Sequence, residues 1–167
     1  MSRGFVREDD QEEAPLIPPR AALPDGVPNH VTPRGLELLI AERAALQVQR
    51  SAVQGSDDER RREHGVIDGR LDLLNERIIT AHVVEQGHGP HHEVRFGSSV
   101  TFRYVNGPQQ GTERTFTIVG VDEASLAHQR IAFVAPVARA LIGRRIGEIT
   151  EFPLGAQLQR LEVIDIS

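Results

Sequence analysis

Apolar residues along the chain follow two rhythms, one in each half. Leu36, Leu39, Ile40, Leu46 and Val53 recur at helical spacing with no internal Gly or Pro until Gly55. Thr32-Pro33 opens that run, with threonine as N-cap and proline at the first helical position, where its missing N–H costs nothing. Ser56-Asp57-Asp58-Glu59 then supplies Ser-x-x-Glu, the capping box of a second helix. In that helix Ile67, Leu71, Leu74, Ile78 and Ala81 are spaced 4, 3, 4, 3, a heptad seam. Gly65 and Gly69 weaken its middle by about 1 kcal/mol each relative to alanine. Two helices of about 22 to 25 residues on either side of a short polar turn predict an antiparallel coiled-coil hairpin. Its arms would be about 33 to 38 Å long.

The second rhythm is that of strands. Gln86-Gly87-His88-Gly89-Pro90-His91-His92 has the composition of a linker. Beyond it Val94, Phe96 and Val100-Thr101-Phe102-Arg103-Tyr104-Val105 alternate, and Asn106-Gly107-Pro108 marks a turn. Arg114 to Val119 reads as the hairpin partner, and Ile131 to Val134 as a short extended run before Pro136. Val137 to Ile142 predicts one or two helical turns closed by Gly143. Ile149 to Phe152 and Leu158 to Ile166 complete an antiparallel sheet. The expectation is an α+β chain: a tail over 1–30, a helical hairpin over 31–85, a linker over 86–93, and a sheet domain with a short helix over 94–167.

Charge sharpens this division. The 167 residues hold 19 arginines, no lysine and 24 acids, a net charge of −5. Residues 1–30 carry −3, residues 31–86 carry −2, and residues 87–167 are neutral. The first stretch also holds five of the ten prolines, so composition marks it as extended or disordered. An acidic balance argues against a protein that coats nucleic-acid backbone, whose affinity comes from clustered cations. Zero cysteines excludes a disulfide scaffold, a thiolate zinc site and a cysteine nucleophile. His88, His91 and His92 sit in a Gly-Pro linker without acids at ligand spacing, and no metal site of the protein's own is expected. No apolar run reaches membrane-spanning length and the N-terminus has no apolar leader core. The expected location is the cytoplasm.

Pro136-Val137-Ala138-Arg139-Ala140-Leu141-Ile142-Gly143, followed by Gly147-Glu148, resembles the C-terminal domain of the bacterial transcript-cleavage factors GreA and GreB. Arg95-Phe96-Gly97-Ser98-Ser99-Val100 is similar to that family's opening strand, and Ile118-Val119-Gly120-Val121-Asp122-Glu123-Ala124 to its Ile-Val-Gly-x-Asp-Glu-Ala stretch. Leu161-Glu162-Val163-Ile164 resembles its terminal strand. Thr32-Pro33-Arg34-Gly35-Leu36 and Ile67-Asp68-Gly69-Arg70-Leu71 resemble its two helices. The likeness covers about residues 31–167 with the motifs in family order. It implies a coiled-coil hairpin on an FKBP-like sheet domain, acting as a monomer on RNA polymerase. The sheet domain would dock at the rim of the secondary channel through Asp122, Glu123, Ala135, Pro136 and Arg139. The hairpin would present tip acids, here Asp57, Asp58 and Glu59, beside a Mg2+ ion shared with the polymerase. The factor would then have no catalytic residues of its own, and nucleic acid would be met only inside the polymerase complex.

Three departures shape that expectation. The family tip pairs two acids three residues apart, whereas the positions three beyond Asp57, Asp58 and Glu59 are Arg60, Arg61 and Arg62. Gly35 and Gly69 lie 34 positions apart, about one heptad per arm less than in the family, which shortens each helix by about 10 Å. Ala135 stands where the family has serine before the proline. The tip acids read first as caps of the second helix and second as metal-directed groups, and the arginine run first as a solvated face. The tip and the length favour a factor that occupies the channel and modulates transcription over one that strongly stimulates cleavage. Other readings are kept: a cleavage factor using Asp57, Asp58 and Glu59, and, more remotely, a prolyl isomerase built on the sheet or a docking module for another partner with the hairpin as its arm.

Overall fold

The computed structural model describes residues 14–85 and 92–167. The acid run over residues 8–13, and His88 and His91 of the linker, lie outside the described residues.

Helix α1, Pro33–Ala52, starts where Thr32 Oγ1 accepts a hydrogen bond of 2.8 Å from Gly35 N. Helix α2, Asp57–Ile79, begins with the complete capping box: Glu59 N donates to Ser56 Oγ and Ser56 N donates to Glu59 Oε2. Between the arms, Leu39, Leu46, Ile67 and Leu74 are buried, and Leu36, Val53, Leu71, Ile78 and Ala81 pack against them. The 4-3-4-3 seam is therefore the contact surface of the hairpin. Ile40 lies off it and is exposed. Near the tip, Arg50 and Asp68 cross-link the arms through two hydrogen bonds.

The hairpin is shorter than its periodicity suggests, with arms of 20 and 23 residues, about 30 and 34 Å. Thr80 ends α2, donating its hydroxyl to Glu76 O at 2.8 Å. Ala81, the last seam residue, opens strand β2, Ala81–Val83, which pairs in parallel with β1, Asn29–Val31. The expected tail is thus used at its end as a strand. Residues 14–28 form no helix or strand, yet they lie along α2.

The second half is a five-stranded sheet. Its strands are β3 (Ser99–Tyr104), β4 (Glu113–Val119), β5 (Arg130–Ala132), β6 (Ile149–Leu154) and β7 (Gln157–Ile166), in the order β5-β4-β3-β7-β6. Three pairings are antiparallel, but β5 joins β4 in parallel. The ten residues between them cross over through a 3₁₀ turn at Leu126–His128 instead of reversing as a hairpin, which makes the parallel pairing possible. Val94 and Phe96, expected on the first strand, lie in the loop before β3, where Val94 is fully buried. Helix α3, Pro136–Leu141, lays Ala138 and Leu141 onto a core of Val100, Phe102, Ile118, Phe152, Leu161 and Val163. The α+β architecture follows from these two cores, one seam and one sheet face.

Candidate functional site

The residues singled out in the sequence fall into three places: the base of the hairpin, its tip, and the α3 face of the sheet domain.

At the base, two of the motifs meet each other. Thr32 Oγ1 donates to Glu123 Oε2 at 2.5 Å while accepting from Gly35 N, so one hydroxyl caps α1 and ties it to the sheet domain. Arg34 Nη1 lies 3.4 Å from Glu123 Oε1. A Cβ on Gly35 would sit 2.9 Å from Glu123 Oε2, so the motif glycine makes room for that carboxylate. Asp122 is held beside it: Arg20 Nε donates to Oδ1 at 2.9 Å, and Arg77 Nε forms an ion pair with Oδ2 at 3.3 Å without hydrogen-bond geometry. Arg20 also makes a two-pronged bond to Glu42 on α1, at 2.9 and 3.0 Å. That bond, more than any other contact, raises the guanidinium's pKa, with burial opposing it and the Asp122 charge assisting. The side chains of Asp122 and Glu123 are only 8% and 5% exposed. Expected on a partner surface, they are instead covered by the chain's own hairpin base.

Gly120 is a turn glycine, its carbonyl accepting from Glu123 N at 3.1 Å, but its φ is not positive and its further use is to permit close approach. A Cβ there would lie 2.7 Å from the carbonyl oxygen of His30 in β1. The His30 ring fills the remaining space against Phe96 and Phe133, with centroids 5.8 and 5.5 Å away. Phe102 and Phe152 belong to the sheet core and Phe116 packs against it. The aromatics that an isomerase pocket would need are spent on the joint and the core.

At the tip, Val53 to Ser56 connect the helices and the three acids occupy the first turn of α2. Glu59 is consumed by the capping box, also accepting from Ser56 Oγ at 2.8 Å. The backbone N–H of Ser56 does most to hold its carboxyl below the usual range, followed by the Ser56 hydroxyl; Arg62 adds a smaller effect. Asp57 pairs with Arg60 and Asp58 with Arg61, each at i,i+3. Both aspartates point into solvent, 85% and 71% exposed. Among the described residues no three carboxylate or histidine side chains converge as metal ligands. A Mg2+ shared with another protein would find two adjacent aspartates, each facing its own arginine, and no chelating pair. The tip does not fit that ion.

On the sheet domain, Ala135 is the N-cap of α3 and offers no side-chain cap, so a serine hydroxyl here belongs to helix capping before any partner contact. Pro136 and Arg139 are exposed, as are Ile142 and Ile146 just beyond. This face carries exposed cationic and apolar side chains, and of the sequence-selected residues only these and the tip acids remain open. Sequence reasoning missed Arg20, Glu42 and Arg77, which complete the base. Arg20 falls in the segment expected to be a tail, and Glu42 and Arg77 belong to no motif of their helices.

Residues 89–167 match the family model "Transcription elongation factor, GreA/GreB, C-term". The transcription elongation factor GreA of Syntrophotalea carbinolica is 36% identical over 110 residues, covering 66% of this chain and 68% of that protein. That of Roseiflexus sp. (strain RS-1) is 30% identical over 129 residues, covering 76% and 80%. Among solved structures, GreA factor homolog 1 (Gfh1) of Thermus thermophilus aligns over 83% of this chain and 97% of its own, at 21% identity and a TM-score of 0.37. A GreA/GreB factor from Nitrosomonas europaea aligns over 83% and 98%, at 22% identity and a TM-score of 0.40.

Proposed function

Because the chain belongs to the GreA/GreB family of transcription elongation factors, we propose that it binds RNA polymerase as a monomer and regulates elongation by occupying the secondary channel. The α3 face, with Pro136, Arg139 and the exposed Ile142 and Ile146, supplies the docking surface at the channel rim. The hairpin supplies a rod that enters. The polymerase does any chemistry, and the factor has no active site of its own. Modulation or occlusion, more than stimulation of transcript cleavage, is its effect.

The observation that carries this reading is the state of the tip carboxylates. Asp57 and Asp58 face Arg60 and Arg61, and Glu59 is locked into the capping box. Adjacent cations reduce the negative field that a divalent ion needs. The test is a backtracked polymerase complex with labelled RNA, incubated with and without the protein. The expected result is dose-dependent slowing of elongation with no faster RNA shortening. Faster shortening that vanishes in the Asp57→Ala/Asp58→Ala variant would establish a cleavage factor instead. Turnover in a proline-peptide isomerisation assay would point to the sheet domain as an enzyme.

A further inference from the structure

Arg20 sits in a stretch that composition alone marks as unable to fold, Pro15-Leu16-Ile17-Pro18-Pro19-Arg20-Ala21-Ala22-Leu23-Pro24. In this stretch Ile17, Arg20 and Leu23 turn inward while their neighbours are exposed, and Leu16 is 91% exposed. Burial at every third residue is the period of a polyproline II helix, which proline-rich sequence adopts without internal hydrogen bonds. Such a segment has little conformational freedom to lose on docking. Its receiving surface is α2. A Cβ on Gly65 would lie 3.3 Å from Pro15 Cγ, and one on Gly69 would overlap Ile17, 2.7 Å from its Cγ1. The two glycines are four residues apart and so share one face of the helix. They cut a groove there, which Ile17 fills and the exposed Pro15 borders. Further along, the Arg77 guanidinium donates to Ala21 O, and Arg20 reaches Glu42 on α1 and Asp122 on the sheet domain.

We infer that residues 15–23 are an intramolecular strap: a proline-rich segment seated in the Gly65/Gly69 groove of α2 and riveted by Arg20, locking the hairpin onto the sheet domain. The groove is a binding site whose occupant is this chain's own N-terminal segment. Side chains at these two positions would clash with the strap: a Cβ on Gly65 meets Pro15 and one on Gly69 meets Ile17. Arg20 is the only described residue whose side chain bonds both an arm of the hairpin and Asp122 from outside either element.

Two measurements on the full chain test the strap. Trypsin cleavage after Arg20, followed by mass spectrometry, reads its seating. Gly69→Leu puts a strong helix former into α2 but fills the groove. It is expected to speed cleavage at Arg20 at least tenfold with far-ultraviolet helicity unchanged, and Ile17→Asp is expected to do the same. Equal cleavage rates in the parent chain and both variants would overturn the seating. The lock is read separately. The chain has no cysteine, so Gln54→Cys and Gln110→Cys place a dye pair cleanly on the tip and the sheet domain. Arg20→Ala is expected to broaden the distance distribution between the dyes. An unchanged distribution would overturn the locking role.

Discussion

The base and the tip of the hairpin carry similar numbers of charges and use them in opposite ways. At the base, Asp122 and Glu123 are buried, and their partners Arg20, Thr32, Arg34 and Arg77 come from 45 to 102 positions away in the chain. At the tip, Asp57 and Asp58 are exposed and their partners are three residues away. Exposed local pairs hold almost nothing in place, because water screens them and flexible side chains lose entropy in forming them. Buried pairs from distant segments fix the relation between segments, because each charge left alone carries a desolvation penalty. A rod that must be aimed needs its rigid joint at the base. The tip keeps its charges accessible, and each aspartate there already faces an arginine.

The largest way to break this contrast is Asp122→Ala. Arg20 and Arg77 are 18% and 15% exposed, and both would lose a carboxylate together. Denaturant unfolding should show a loss of about 3 kcal/mol. A loss no larger than that of a surface variant would mean the base is as loosely held as the tip.

Gly120→Ala attacks the same joint without touching a charge. Its methyl must displace the backbone of β1 at His30, with no flexible side chain to yield, and a loss of about 2 kcal/mol is expected by thermal or chemical unfolding. The α3 face offers a change of opposite sign. Ala135→Ser would place a hydroxyl at the uncapped N-cap and should stabilise by about 1 kcal/mol. If Ala135→Ser leaves stability unaltered, the cap assignment is wrong. At the tip, Asp57→Asn and Asp58→Asn together should change stability by no more than about 0.5 kcal/mol.

The contrast also explains what could be read from the sequence. The hairpin seam, both helix starts and the antiparallel body of the sheet were legible because they depend on local periodicity and capping, which neighbouring residues encode. The end of α2 was not: Ala81 continues the heptad, but pairing with β1, 52 positions earlier, turns it into a strand. Asp122 and Glu123 were found as notable residues, yet their burial depends on where α1 starts in space. Gly65 and Gly69 read only as weak points of a helix. Their use becomes visible once Pro15 and Ile17 are known to lie against them, and nothing in composition tells a proline-rich tail from a proline-rich strap. At the tip the reverse holds. The Ser-x-x-Glu box and the i,i+3 Asp–Arg pairs are local, so the spacing that departs from the family was readable in advance and the geometry repeats it.

Glu59 gives the smallest and most selective test, because it separates capping from any other role of the tip acids. Its carboxyl is held below the ordinary range first by the Ser56 N–H and then by the Ser56 hydroxyl. A carboxylate whose folded pKa is depressed stabilises the fold above the pKa it has in the unfolded chain. That stabilisation disappears as pH falls through the lower, folded value. Ser56→Ala removes only the hydroxyl and should raise the Glu59 pKa part of the way. Ser56→Pro removes both donors, and the φ of −64° at this position already suits a proline ring. It should return Glu59 toward the ordinary glutamate range and abolish the pH-dependent step of α2's first turn, read by carboxyl-carbon NMR titration. If Glu59 keeps its depressed pKa in Ser56→Pro, the arginine run and not the cap controls it. The tip would then be an electrostatic device in its own right, and the difference between tip and base would be one of degree.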